Sequence, residues 1–347
     1  MKTNLIYILG MMCLSGTVSA QTTVNYTEFE QKVLDYSQTL KQSVSQRTAM
    51  QKAMKAAKTA FFPAVDATGS YQYRINKYDM DFGGMAVPME HDSYSAEVGV
   101  VQPIYAGGSI YHTYKASQIQ SQIADKSVDL TTDNLIYAAE ASYWGTAAQK
   151  EMYKTMCQYV EIISQLTKVL QDKYDDGYIS KTDLIQMQTR LKEAELQRSS
   201  SYQSYQIALQ NMNVLMGLEP DKEVGLVDSI FVELPLPAYV GADAALNVRP
   251  DYAISQLDVD YQKRQVKLAA AKYNPSLSIG FKETWGTQML NISGETMFNS
   301  NVYASVKLPL FHWGARFKST AAQKAILLGK QYALQDKQDQ ITKEVAK

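Results

Sequence analysis

Four stretches of this chain alternate strictly between apolar and polar residues. In the first, Val65, Ala67, Gly69, Tyr71, Tyr73 and Ile75 share one face, and Asp66, Thr68, Ser70, Gln72, Arg74 and Asn76 share the other. The second sets Tyr94, Ala96, Val98 and Val100 against Ser95, Glu97 and Gly99. The third sets Leu277, Ile279, Phe281 and Trp285 against Ser276, Ser278, Lys282 and Thr284, with Glu283 as the exception. The fourth sets Val302, Ala304, Val306 and Leu308 against Asn301, Ser305 and Lys307. Prolines frame both pairs in the same way, Pro63 with Pro103 and Pro275 with Pro309, and a long helical run follows each pair. The opening prolines lie about 212 residues apart and the closing ones about 206. A solenoid repeats every ~20–50 residues, so this spacing predicts a duplicated half-domain instead.

Two environments produce such alternation. One is a half-buried antiparallel sheet in a soluble domain. The other is a membrane barrel with lipid outside and water inside, and each run matches the ~9–11 residues a tilted strand needs to cross a bilayer. Two features favour the barrel. Aromatic residues gather where strands meet helices, at Phe61, Phe62, Tyr105, Tyr273, Phe311 and Trp313, as an interfacial girdle requires. The strand-linking loops Lys77–Ser93 and Thr287–Ser300 are long and polar. The water-facing side then carries Asp66, Arg74, Glu97, Lys282 and Lys307. Four strands cannot enclose a pore, since even narrow barrels use about eight, so several chains must share one barrel.

The helical runs are longer than ordinary globular helices. No proline occurs between Pro103 and Pro220, and Ser109 to Tyr174 reads as one helix of about 66 residues, ~100 Å at 1.5 Å per residue. Tyr137, Ala141, Trp144, Ala148, Met152, Thr155, Tyr159, Ile162, Leu166 and Val169 recur at 3–4 spacing, the expected packing seam. Gly177 suits a left-handed helix end, and Ser180 with Asp183 three residues later resembles a capping box. A return helix follows with Leu184, Met187, Leu191, Ala194, Tyr205, Ala208, Met212 and Leu215, making an antiparallel hairpin with a polar tip. Gly217, Pro220 and the stretch around Pro235 and Pro237 end that half. Arg249-Pro250-Asp251 reads as a helix start, with proline at the first position and an acid beside the positive helix end.

Composition adds the compartment. Lys2, the apolar run Leu5 to Leu14 and Val18-Ser19-Ala20 form a secretory signal peptide over residues 1–20. A transmembrane anchor fits less well, because Gly10 and Ser15 break a run that is already short. Met11-Met12 before Cys13 lacks the small residues that lipid modification requires. Cleavage leaves Cys157 alone, so no internal disulfide can form. A net charge of −1 argues against nucleic acid as a partner. No mature stretch reaches ~18 consecutive apolar residues, so strands must do any membrane crossing.

Taken together, the proline-framed strand pairs, the turn Gln102-Pro103-Ile104-Tyr105-Ala106-Gly107-Gly108, the Arg249-Pro250-Asp251 start and the Gly177 tip resemble the TolC-like outer-membrane efflux family. The likeness runs from about Val24 to the end of the chain. It implies a mainly α fold with membrane β: a homotrimer whose chains each give four strands to a twelve-stranded barrel continued by an α-helical periplasmic tunnel. Such proteins are passive exit ducts in the outer membrane, surrounded by its lipid, which dock an inner-membrane pump through a periplasmic adaptor. Cargo ranges from small molecules to secreted polypeptides. By resemblance, the adaptor-contacting entrance is Asp175, Asp176, Gly177, Tyr178, Thr182 and Asp183, with Thr182 and Asp183 matching a pair associated with holding the entrance closed. The implied organisation is a first repeat over 21–217, an equatorial linker over 218–248 and a second repeat over 249–347. The offset between repeats would place a second tip near position 383, so the second half is expected to be incomplete.

Other classes fit less well. His91, His112 and His312 are scattered without metal-ligand spacing, and neither a phosphate-binding loop nor a nucleophile elbow occurs. No catalytic residue, cofactor or metal site is expected. Asp172, Asp175 and Asp176 read as a solvated tip rather than a metal cluster, and the sequons at Asn25 and Asn291 are matches expected by chance. The alternative class is a periplasmic coiled-coil adaptor or structural scaffold, which would carry one hairpin between soluble β-domains rather than duplicated strand pairs.

Overall fold

The computed structural model describes residues 22–76, 79–88, 90–231, 241–287 and 295–346. The signal peptide and the Pro235/Pro237 stretch lie outside them. In chain order the elements are β1 (Thr22–Val24), α1 (Tyr26–Tyr36), α2 (Gln38–Thr59), β2 (Ala64–Tyr73), β3 (Asp79–Phe82), β4 (Met85–Pro88), β5 (Asp92–Ala106) and α3 (Ser109–Asp175). There follow α4 (Lys181–Leu215), β6 (Val224–Leu226), α5 (Ala242–Val248), α6 (Pro250–Ala271), β7 (Ser276–Gly286), β8 (Met297–Lys307) and α7 (Ala315–Val345). They form two compact units, Met1–Gln38 with Asp133–Leu236 and Thr39–Thr132 with Pro237–Lys347.

The first unit has a conventional buried core. Val24, Phe29, Val33, Ala139, Tyr143, Ala147, Leu209, Met212, Met216, Val224 and Leu226 form one cluster. Strands β1 and β6 pair in parallel, Thr22 opposite Val224, joining segments about 200 residues apart. Asn25 caps α1 by accepting the Glu28 N–H at 2.8 Å, satisfying a donor the first turn leaves orphaned. Tyr143 is fully buried and its ring meets Tyr26, Phe29 and Trp144 at centroid distances of 5.7, 5.5 and 5.3 Å. Its single hydroxyl proton is shared between Asp228 Oδ2 at 2.8 Å and the Val24 carbonyl at 3.0 Å, and the Tyr26 N–H donates to the same carboxylate oxygen at 2.7 Å. Burial, then the hydrogen-bonded Asp228 carboxylate, push the Tyr143 phenol well above its ordinary pKa.

Helix α3 runs unbroken for 67 residues, as its lack of proline predicts. The face it buries is not the expected one. Tyr137, Met152, Tyr159, Ile162, Leu166 and Val169 are exposed, while Ala139, Tyr143, Thr146, Ala147 and Val160 turn inward. Small residues let α4 approach closely: the Thr146 hydroxyl reaches the Ala208 carbonyl at 3.2 Å. Two rows at the same 3–4 spacing exist on this helix, and period alone does not choose between them. On α4 the expected row holds, with Leu184, Ala194 and Met212 buried.

The second unit contains a four-stranded antiparallel sheet in the order β2-β5-β7-β8. Its register aligns Asp66, Gly99, Lys282 and Asn301 in one cross-strand row and Thr68, Glu97, Thr284 and Asn299 in another. Near the helical end the β5–β7 register shifts between Pro103 and Tyr105, a bulge after which Tyr105 and Ala106 still pair with Leu277 and Ser276 before α3 begins. Gln102 Nε2 donates to the Phe61 carbonyl at 3.1 Å, fastening the base of β5 to the segment entering β2. Gly107 then turns with φ of +64° where a Cβ would lie 2.7 Å from the Ala271 carbonyl oxygen, and Asn274 Nδ2 donates to the Gly107 carbonyl at 2.9 Å. The Gly107-Gly108 motif of one half thus packs on the Asn274-Pro275 motif of the other.

One region read as a polar loop is partly a hairpin. Within Lys77–Ser93, β3 and β4 pair antiparallel with Phe82 opposite Met85, closed by Gly83-Gly84 at φ of +65° and +96°. The Gly-Gly pair was the available signal, since a type I′ hairpin turn needs positive φ at both central positions.

At the start of α6, Pro250 occupies the first turn as expected. Arg249 Nη2 meets Asp251 Oδ2 at 2.9 Å and Arg249 Nη1 bridges to Glu344 on α7, with Lys337 at 3.8 Å from the Asp251 carboxylate. Burial raises the Asp251 pKa, but the Arg249 contacts, the Tyr252 N–H and Lys337 outweigh it and hold the carboxyl below its ordinary value. The helix start is also a clamp on α7.

Candidate functional site

The sheet exposes its apolar side. Tyr71 is 68% accessible and Val302 78%, and Val65, Val98, Ile279, Phe281, Trp285 and Val306 are likewise exposed. The polar side carries a cluster of side-chain hydrogen bonds. Lys282 Nζ meets Glu97 Oε2 at 3.1 Å, Thr284 donates to the same oxygen at 3.3 Å, and the Ser70 and Ser95 hydroxyls pair at 2.8 Å. These groups border a groove of about 620 Å³ that Asn299 and Asn301 also line. A soluble half-buried sheet would do the reverse, since an apolar surface of this extent left open to water marks a membrane or protein contact. Glu283, the exception in the pattern, lies on the apolar side and accepts a hydrogen bond from Ser300 of the adjacent strand.

Of the five charged residues expected on the polar side, Asp66, Glu97, Lys282 and Lys307 stand on that face by register. Arg74 lies one residue beyond β2, its backbone N–H donating to the His91 carbonyl at 2.6 Å. Of the neutral lining of the groove, Ser95 and Asn301 stand on the polar faces read from the sequence, whereas Ser93 and Asn299 belong to strands that extend into the stretches read as loops. The same alternation marks them: they are the polar partners of the charged positions.

The hairpin tip has the anticipated local geometry. Gly177 adopts φ of +80°, and the Tyr178 N–H closes the end of α3 by donating to the Lys173 carbonyl at 2.8 Å. Ser180 and Asp183 form a reciprocal capping box: the Asp183 N–H donates to Ser180 Oγ at 3.2 Å and the Ser180 N–H to Asp183 Oδ2 at 3.3 Å. Asp175, Asp176, Gly177, Tyr178, Thr182 and Asp183 are all exposed. Gln171 Nε2 donates to Asp175 at 3.0 Å. Among the described residues no cluster of His, Cys, Asp and Glu could hold a metal ion, and no helix is long and apolar enough to cross a membrane.

An amphipathic antiparallel sheet with its apolar side exposed, in a chain otherwise built of long helices, is the pattern of the outer-membrane channel class. Residues 30–218 and 241–347 match the family model described as outer membrane efflux protein, and the chain belongs to that family. It is similar to the alkaline protease secretion protein AprF of Pseudomonas aeruginosa, with 22% identity over 266 residues. That match covers 74% of this chain and 54% of AprF, so the chain spans about half the length of the curated relative. Its fold is that of the CmeC outer membrane channel of Campylobacter jejuni, at a TM-score of 0.75 and 16% identity, covering 90% of this chain and 67% of CmeC. It is also that of CusC, at 0.78 and 13%, covering 94% and 75%. The protein is accordingly placed in the outer membrane.

Proposed function

We propose that the protein is a passive exit duct of a tripartite efflux or type I secretion system. In this reading three copies close a twelve-stranded barrel with the Glu97–Lys282 face lining the lumen. The observation that carries it is the reversed sheet, polar and hydrogen-bonded on one side and apolar and open on the other. That arrangement also counts against an adaptor with soluble β-domains, and family membership supports a channel rather than an enzyme. The repeat organisation proposed here is 21–217, 218–248 and 249–347, and the packing of Gly107-Gly108 on Asn274-Pro275 supports it.

The entrance is assigned to Asp175, Asp176, Gly177, Tyr178, Thr182 and Asp183, docking a periplasmic adaptor that leads to an inner-membrane pump. Asp183 already serves as a cap, so a gating role must be separated from helix stability. Planar-bilayer conductance of the purified chain tests the duct, with discrete steps from a trimeric species expected. A monomer recovered from the soluble periplasm overturns it. Asp183→Ala is expected to raise open probability while Ser180→Ala, which removes the same cap, does not. Equal effects of the two would reduce Asp183 to a capping residue.

A further inference from the structure

We propose that the groove between the first turns of α3 and the last turns of α6 binds a phosphate-type oxyanion. Strands β5 and β7 pair with Ala106 opposite Ser276, so α3 begins and α6 ends beneath the same edge of the sheet. At 1.5 Å per residue, Lys115 lies ~9 Å from the start of α3, and Lys267 and Lys263 lie ~6 and ~12 Å from the end of α6. Each helix lines the groove at i, i+3, i+4 and i+7: Lys115, Gln118, Ile119 and Gln122 on one wall, Asp260, Lys263, Arg264 and Lys267 on the other. The cavity between them has a volume of about 540 Å³, with room for more than a bare ion.

Four cations surround this space with one carboxylate among them. Asp260 is engaged by Lys263 at 2.8 Å, and Lys115 donates only to the neutral Gln118 at 3.0 Å. Among the described residues Arg264 and Lys267 make no ion pair. Lys267, one turn from the C-terminus of α6, suits that helix dipole. His112, one turn before Lys115 on α3, has a buried Nδ1 without a hydrogen-bond partner. Its pKa is held down first by burial and then by Lys267 and Arg264, so the field of these two cations reaches across the groove. A bound oxyanion would neutralise that field, with the Arg264 guanidinium supplying a fork of donors and the lysines point charges. The site lies just beyond the strands, at the depth where an interfacial phosphate would be met. The oxyanion can come from an anionic glycerophospholipid head group or from a soluble phosphate.

Calorimetric titration of the full chain in neutral detergent separates the two. Inorganic phosphate is added in one arm and short-chain phosphatidylglycerol in the other, with phosphatidylcholine as the zwitterionic reference. Saturable binding of either anion, weakened at least tenfold in Arg264→Gln/Lys267→Gln, is the expected result, and the arm that binds names the source. Lys115→Gln, from the opposite wall, must weaken the same binding, which guards against a double variant that fails to fold. Lys52→Gln/Lys55→Gln on α2 removes equal charge and is expected to bind as wild type. No binding in either arm, equal binding by the groove variants, or equal loss in the α2 control overturns the proposal. The inference does not depend on the channel reading, because conductance plays no part in the measurement.

Discussion

Around Tyr143 the apolar side chains are enclosed, and the buried hydroxyl at their centre is held by the Val24 carbonyl and Asp228. In the β2-β5-β7-β8 sheet the same kinds of residue, Val, Ile, Phe and Tyr, stand open, while on the other side Ser70 pairs with Ser95 and Glu97 with Lys282 and Thr284. The two regions obey one rule, that apolar surface leaves water. They differ in what receives it: the chain's own interior in one case and, in the reading proposed above, lipid in the other. Exposure in a single chain therefore reads as a fault in the first region and as an address in the second.

The comparison breaks most visibly at Tyr143. Replacing it with alanine empties a fully buried aromatic site and is expected to cost about 3–5 kcal/mol, read from chemical denaturation in detergent. A loss below about 1 kcal/mol would mean that this core is not what holds its unit together. Next in size is a paired substitution on adjacent residues of β8. Val302→Lys places a charge on the lipid side and is expected to cost ~2–4 kcal/mol if near the bilayer midplane, with reduced outer-membrane insertion. Asn301→Lys on the polar side is expected to stay within about 0.5 kcal/mol. Equal outcomes would remove the distinction between the two faces.

Smaller effects sharpen the contrast away from both regions. Ser180→Ala removes the capping box of α4 and is expected to cost about 0.5–2 kcal/mol, seen as faster amide exchange confined to the hairpin tip. The clamp at Asp251 contributes least, and its share depends on pH. Its folded pKa is depressed, so the contribution is present above the ordinary value of 3.8 and fades as pH falls through the lower folded value. Asp251→Asn is expected to lower stability by about 1 kcal/mol or less at neutral pH, with wild type and variant converging in acid. A gap that stays constant across that range would assign the effect to packing rather than charge.

Much of the architecture was legible in the order of residues. Strict alternation located all four strands of the main sheet, and the proline-free run located α3 to within a residue of its end. Ser180, Asp183 and Gly177 were legible because caps and left-handed turns are local: each is decided by residues within one turn of helix. The packing face of α3 was not. The large residues from Tyr137 to Val169 and the smaller row through Ala139, Tyr143 and Ala147 share one period, and only the position of α4 and the core selects between them. The β1–β6 pair was equally hidden, because three-residue strands some 200 positions apart carry no local signature. The basic groove escaped notice for the same reason, since its two walls are ordinary amphipathic spacings until the sheet register brings the helices together.

Local chemistry thus determined which segments are strands, where the long helices stop and how their ends are capped. Alternation also determined that the sheet has two unlike faces. Which of them stays open and which carries the Glu97–Lys282 pair beside a groove was decided by tertiary structure, because period two is the same for a strand buried in protein and one facing solvent or lipid. The contact of Gly107-Gly108 with Asn274-Pro275, the clamp from Arg249 to Glu344 and the company kept by Arg264 and Lys267 were decided there as well. Each depends on distance through space, which spacing along the chain does not contain.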